Sequence, residues 1–465
     1  MAQPWDAYLA EHEAQYLGEL DDLLRIPSVS ALPAHAADVR AAAEWVTARL
    51  RRAGVPEVEL LPTGQHPLVL GRWHVGADRP TALIYAHYDV QPPDPLDLWQ
   101  TPPFTPTTRD GRIYARGAAD DKAGLFLTIA ALEALVATHG APPLNLIFFF
   151  EGEEEIGSPS LAALVHAKRA RLACDVVVSA DGSMWGADQP SLTLSTKGLA
   201  GCQIDVRTGT TDLHSGEYGA AAPNAAQTMA RLVASFHDAE GRVAIAGFHD
   251  RVRALTAAER AELAAVPFDD VAYTREIGTT ARWGEPGYTV LERRWTRPTV
   301  DVNGIWGGFQ GAGAKTVTPC EAHAKITCRL VPDQDPAEIL ALIERHVAAH
   351  APVGVAATVT RLPGSAQPFA IRRDHPGLLA AGDTLRDLFG VEPLLIRTGG
   401  TLPVAEVFQR ELGADMVFFA WSLPESNAHA PNEWFRAEDV RRGARAYCAY
   451  LTRLEETMAH APAAG

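Results

Sequence analysis

From Leu144 to Phe150 the chain reads Leu-Asn-Leu-Ile-Phe-Phe-Phe, and the next five residues, Glu151 to Glu155, carry four carboxylates. A run that apolar suits a strand covered on both faces, which places it inside a sheet rather than at its rim. An interior strand in turn requires other elements packed above and below. Thr81 to Ala86 is a second short apolar run, ending at His87. Lys122 to Thr138 has helical spacing, with Leu125, Ile129, Leu132 and Leu135 on one face. Pro159 to Ala170 reads as a helix and Asp175 to Ser179 as another apolar strand. The alternation predicts a doubly wound α/β domain.

The texture changes near Lys197. Leu199 to Val206 and Glu321 to Val331 alternate like half-exposed strands, Val355 to Leu362 reads as a closing strand, and Pro223 and Pro336 each open a helix. After His375-Pro376 the first texture resumes, with strands at Leu394–Ile396 and Met416–Phe419 and a last helix from about Arg436. The expected organisation is therefore a first catalytic part at 1–196, an inserted α+β domain at 197–368, and a second catalytic part at 369–465. A chain of 465 residues supports two domains, since single cores stop growing well below that length.

The formal net charge of −16 argues against nucleic-acid and anionic-membrane partners, which need a basic face. No apolar run approaches the roughly 18–20 residues needed to span a bilayer. The N-terminus lacks the basic start of a signal peptide. Five scattered cysteines form no Cys-x-x-Cys pair and read as buried small hydrophobes. A cytoplasmic protein is the expectation. Gly307 to Thr316 only superficially resembles a phosphate loop, because Ala314 separates Gly313 from Lys315. No Gly-x-Ser-x-Gly elbow occurs.

Acidic and imidazole side chains gather at the ends of these strands, where α/β sheets bind ligands. His87 and Asp89 are two apart at a strand end and point the same way. Asp120 and Asp121 follow the small-residue turn Gly117-Ala118-Ala119. One of them can serve a cation while the other caps the helix that begins at Lys122. The Glu151–Glu155 cluster calls for a cation or for raised pKa values. Glu154 and Glu155 can divide the labour, one as ligand and the other as proton acceptor. Asp181 closes the Asp175–Ser179 strand, and His429 is a late, isolated candidate. Carboxylates with two imidazoles suit a pair of divalent cations, zinc first, with manganese or cobalt as alternatives.

The motifs Ala115–Lys122, Glu151–Ser158, Asp212–Gly216, Gly313–Val317 and Arg397–Thr401, with the Asn427–Glu433 loop, together resemble the di-metal aminoacylase, carboxypeptidase and dipeptidase family. The likeness is to its carnosinase-like dipeptidase branch. The resemblance implies one cation held by His87 and Asp181, another by Glu155 and His429, with Asp120 bridging across a cis Asp120–Asp121 peptide. It implies Glu154 as general base and Asp89 as the carboxylate behind the metal-binding histidine. It makes the insert a lid and dimerisation domain in a homodimer, with His214 steadying the oxyanion of the partner's site. Arg329, Thr316, Gly400 and Thr401 would hold the carboxylate of a small peptide substrate, the arginine fork matching that group. Thr398 and Thr401 stand where the family often carries an acid and a serine. The activity implied is dipeptide hydrolysis, with N-acyl-amino-acid deacylation as the alternative.

Overall fold

The computed structural model describes residues 3–280 and 283–459, which fall into two compact units. The first comprises residues up to Leu194, Ile371–Leu395, and Val407 onward; the second comprises Ser195–Ala370 and Ile396–Glu406. The short segment 396–406 thus groups with the second unit, although its sequence texture continues that of the first.

A six-stranded sheet forms the centre of the first unit. Its order is Glu57–Leu61, Leu68–Trp73, Asn145–Glu151, Thr81–His87, Val176–Ser179, Met416–Phe418. The last four run parallel, and Leu68–Trp73 alone is reversed, antiparallel to both its neighbours. All seven residues of Asn145–Glu151 are buried, as expected of a strand flanked on both sides and covered on both faces. The register sets Thr81 beside Asn145 and His87 beside Glu151, so both strands deliver their polar ends to the same edge.

The helix Lys122–His139 packs on this sheet and against the helices Glu13–Leu24 and Ala437–Ala459. With 18 residues at a mean hydropathy of 1.3, it has the length and composition of a membrane span, contrary to the expectation that no stretch comes close. Yet 72% of it is buried within the protein, the mark of a core helix. At its start, a Cβ on Gly124 would stand 2.0 Å from Asp121 Oδ1 and 2.9 Å from the Ala180 carbonyl. Only glycine lets the helix approach the strand end that carries Asp181.

The second unit is built on a four-stranded antiparallel sheet, ordered Asp301–Gly307, Glu321–Leu330, Gly198–Arg207, Ala356–Arg361. Burial along Glu321–Leu330 alternates nearly residue by residue, so one face is core and the other is not. The helices Ala225–Ala234 and Pro336–His350 cover the apolar face, with Ile204, Met229, Ile326 and Ile343 among the buried residues between them.

Candidate metal centre

At the end of Thr81–His87, the imidazole of His87 is fully buried. Its Nδ1 donates to the Asp89 carbonyl at 3.1 Å. A carbonyl only accepts, so Nδ1 carries a proton and Nε2 is left facing Asp120 Oδ1 at 2.9 Å. His429 Nε2 approaches the other oxygen of the same carboxylate at 2.9 Å and Glu155 Oε2 at 3.2 Å. Two triads result, His87–Asp120–Asp181 and Asp120–Glu155–His429, and within each the donor atoms lie within 4.8 Å of one another. Asp120 belongs to both. All five side chains singled out as cation ligands are thus brought together.

The loop presenting Asp120 is held from behind by Glu433. This buried carboxylate accepts the backbone amides of Gly117 (2.8 Å), Ala119 (2.7 Å) and Asp120 (3.0 Å), and Arg116 Nη1 at 2.7 Å. Gly117 has a φ of +82°, a conformation L side chains rarely adopt, and a Cβ there would collide with Val90. The Asp120–Asp121 peptide is cis. Asp121 sits at the cap position of the following helix, but its side chain makes no cap hydrogen bond; Oδ2 instead accepts the His87 amide at 3.4 Å. The capping expectation gives way to the strand end. Sequence reasoning passed over Glu433, whose only signal is a single acid four residues after His429. It also passed over Gln91, which donates to Glu155 Oε2 at 2.8 Å.

Asp89 has a further use beside the expected one. Its Oδ1 lies 3.5 Å from His87 Nδ1, and its carboxylate also accepts the amides of Glu154 (3.3 Å) and Glu155 (3.0 Å). It therefore caps the short 3-10 turn Glu154–Ile156 and orients both glutamates.

So many acids in one buried cluster compete for few protons. Burial, with Asp181, Glu155 and Asp120 nearby and only partly offset by His87, pushes the Glu154 carboxyl well above the usual range. Burial and Asp120 raise Asp181 to about 7. Burial opposes charge on Asp120 too, yet its hydrogen bonds to His429 and His87 hold it below its ordinary value. The same bonds to Asp120 and Glu155 lift His429 to about 10. For His87, burial disfavours the charge, and the Asp120 and Asp89 carboxylates outweigh it, so its value rises. Clustered carboxylates held beside imidazoles whose Nε2 atoms converge on them form a donor set suited to divalent cations.

In the second unit, Arg329 donates from Nη1 to Thr401 Oγ1 at 2.7 Å. The Gly400 carbonyl accepts the Lys197 amide at 2.9 Å, and the Thr398 hydroxyl accepts the Gly400 amide at 3.1 Å. The threonine at 398 is thus occupied in shaping its own loop. Thr316 is brought beside His214 instead, its carbonyl accepting the Ser215 amide at 3.1 Å, and no hydrogen bond among the described residues joins it to Arg329. His214 is exposed, and its Nδ1 accepts the Gly216 amide.

The sequence profile of peptidase family M20/M25/M40 matches residues 83–453. The chain belongs to this family of peptidases. It is 29% identical over 469 residues to the Cys-Gly metallodipeptidase dug1 of Schizosaccharomyces pombe, covering 95% of each chain. It is likewise 29% identical to a cysteinylglycine-S-conjugate dipeptidase of Corynebacterium striatum, covering 95% of this chain and 96% of that one. Among solved structures, an M20 family metallo-carboxypeptidase from Sulfolobus solfataricus superposes with a TM-score of 0.80 at 30% identity, over 95% of this chain and 99% of the other. The α/β fold with its smaller α+β unit is that of these peptidases, which act with divalent metal ions.

Proposed function

We propose that this chain is a two-metal dipeptidase that hydrolyses the amide bond of dipeptides or short peptides with a free carboxyl terminus. The observation that carries the reading is the pair of triads sharing Asp120, with Glu154 beside them. His87 and Asp181 would hold one cation and Glu155 and His429 the other, with Asp120 common to both triads. The donor set suits zinc, with manganese or cobalt as substitutes. When bound, the cations polarise the scissile carbonyl and make water acidic enough to ionise near neutral pH.

The remaining steps belong to the protein's own groups. Glu154 takes the proton of the attacking water and returns it to the leaving amine. Asp89 fixes the turn that aims Glu154. Arg329, with Thr401 and the Gly400 turn, holds the terminal carboxylate; Thr316, beside His214, lines the same substrate path. His214, supplied across a homodimer, steadies the oxyanion. Support for that dimer comes from the strand Asp301–Gly307, an edge of its sheet with Val302, Ile305 and Trp306 exposed. Five free cysteines accord with a reducing, cytoplasmic setting.

N-acyl-amino-acid deacylation could use the same centre, but the relatives above are named as peptidases. The test is a panel of dipeptides and N-acetyl amino acids given to metal-stripped protein with zinc or manganese restored. Metal-dependent cleavage of dipeptides is expected; exclusive cleavage of the acyl amino acids would overturn the reading.

A further inference from the structure

The second unit contains a cavity of about 430 Å3 whose wall is cationic. Lys197, Arg242, Arg293, Arg294, Arg297 and Arg329 line it, and among the described lining residues Glu285 and Asp301 are the acids that oppose them. In a chain of net charge −16, that is a local reversal of sign. Most of these cations are already engaged. Arg297 clasps Glu285 through two bonds of 2.6 and 3.0 Å. Arg293 donates to the carbonyls of Glu285 and Trp283, and Arg242 pairs with Glu240 at 2.8 Å. Lys197, buried, donates to the Arg297 carbonyl at 2.6 Å.

Three of these guanidinium groups have no carboxylate partner among the described residues, and of them Arg293 is held by its two carbonyls. Arg329 meets only the neutral Thr401 hydroxyl. Arg294 is steadied over the rings of Tyr273 (5.1 Å) and Phe268 (5.9 Å), which fix its position without using its N–H donors. The two belong to one wall. Gly399, two residues before Thr401, also lines the cavity, and a Cβ on it would stand 3.2 Å from the Arg294 carbonyl.

A dipeptide with a neutral carboxyl-terminal side chain brings one carboxylate, which the reading above gives to Arg329. Arg294, exposed on the same wall, is then left without a carboxylate. We infer that this cavity takes a second carboxylate, carried by the side chain of the substrate's carboxyl-terminal residue, so that dipeptides ending in glutamate or aspartate are preferred. The inference rests on the dipeptidase reading. A charge-assisted guanidinium–carboxylate contact predicts a preference of about tenfold in kcat/KM over the isosteric amides.

The test compares Ala-Glu with Ala-Gln, and Ala-Asp with Ala-Asn, on zinc-loaded full-length enzyme at low salt. The acidic substrates should lead by about tenfold, the lead should shrink as salt rises, and the ratio should fall towards one in both Arg294→Met and Arg294→Gln. Ratios of one or less in the wild type, or a preference that survives both substitutions, would overturn the inference while leaving the dipeptidase intact. If no dipeptide is cleaved, the dipeptidase reading fails by itself. Calorimetric binding of glutarate then decides the cavity: binding lost in Arg294→Met supports a dicarboxylate site, and no binding to the wild type refutes it.

Discussion

The Asp89 carboxylate accepts the amide of Glu155 at 3.0 Å, and of Glu154 at 3.3 Å, so one acid sets the aim of a candidate ligand and a candidate base together. Replacing Asp89 with alanine should disturb both jobs at once. We expect zinc affinity and kcat/KM each to fall about 10–100-fold, the usual effect of removing a group that orients ligands. Asp89→Asn keeps one accepting oxygen and should lose less. Zinc titration beside steady-state kinetics checks both; unchanged affinity in Asp89→Ala would contradict the orienting role.

Glu154→Gln preserves size and removes the proton acceptor. Turnover should drop by roughly 10²–10⁴, with metal content unaltered. Elemental analysis of the purified variant separates the possibilities, because loss of metal would make Glu154 a ligand instead.

Metal loading should release protons. His429 is raised to about 10 and Asp181 to about 7, and His87 and Glu154 are also raised, so near pH 7 the metal-free cluster carries protons that ligation must displace. Affinity should therefore strengthen as pH rises from about 6 to 8. Calorimetry in buffers of different ionisation enthalpy should count more than one proton per chain. Chelation should lower Tm, as a cation at about 100 times its Kd stabilises by roughly 2.7 kcal/mol.

Glu433 and Arg116 form a fully buried ion pair at 2.7 Å. Glu433→Ala would strand the guanidinium and three backbone amides. A loss of about 3–5 kcal/mol in urea unfolding is expected, together with weakened metal binding, because the same carboxylate holds the Asp120 amide. Glu433→Gln should fall between.

Burial depresses Lys197 from 10.5 to about 8, with Arg329, Arg294 and Arg297 adding to the effect and Asp301 opposing it. The folded value lies below the unfolded one. Between them the unfolded chain binds the additional proton, so this residue makes stability rise with pH across about 8 to 10.5. Relative to Lys197→Met, the wild-type midpoint should climb over that window; parallel pH profiles would contradict it.

The layout of the first unit was legible because its cues are local. Apolar runs ending in acids mark strand ends, and the helical spacing from Leu125 to Leu135 marks the core helix. Residue type and strand-end position brought out His87, Asp120, the Glu151–Glu155 cluster and Asp181, but His429 joined them as a set only through the resemblance to the di-metal peptidase family. What escaped depends on distant pairing. Glu433 reaches Arg116 across 317 positions, and no periodicity announces such a contact. The strand Glu57–Leu61 was missed because its charge-bearing, largely half-buried pattern is ambiguous on its own, and Leu68–Trp73, though mostly buried, because its apolar run is cut short by Gly71 and Arg72. The cationic cavity was invisible for a similar reason: Lys197, Arg294 and Arg329 converge only in three dimensions.

The strand Val176–Ser179 takes Met416–Phe418 as its neighbour, and His429 lies later still. During synthesis the second unit must emerge before either arrives. At about 5–20 residues per second, that leaves the nascent sheet edge bare for on the order of tens of seconds. Until His429 has been translated the second triad lacks its imidazole, so the nascent chain carries an incomplete donor set.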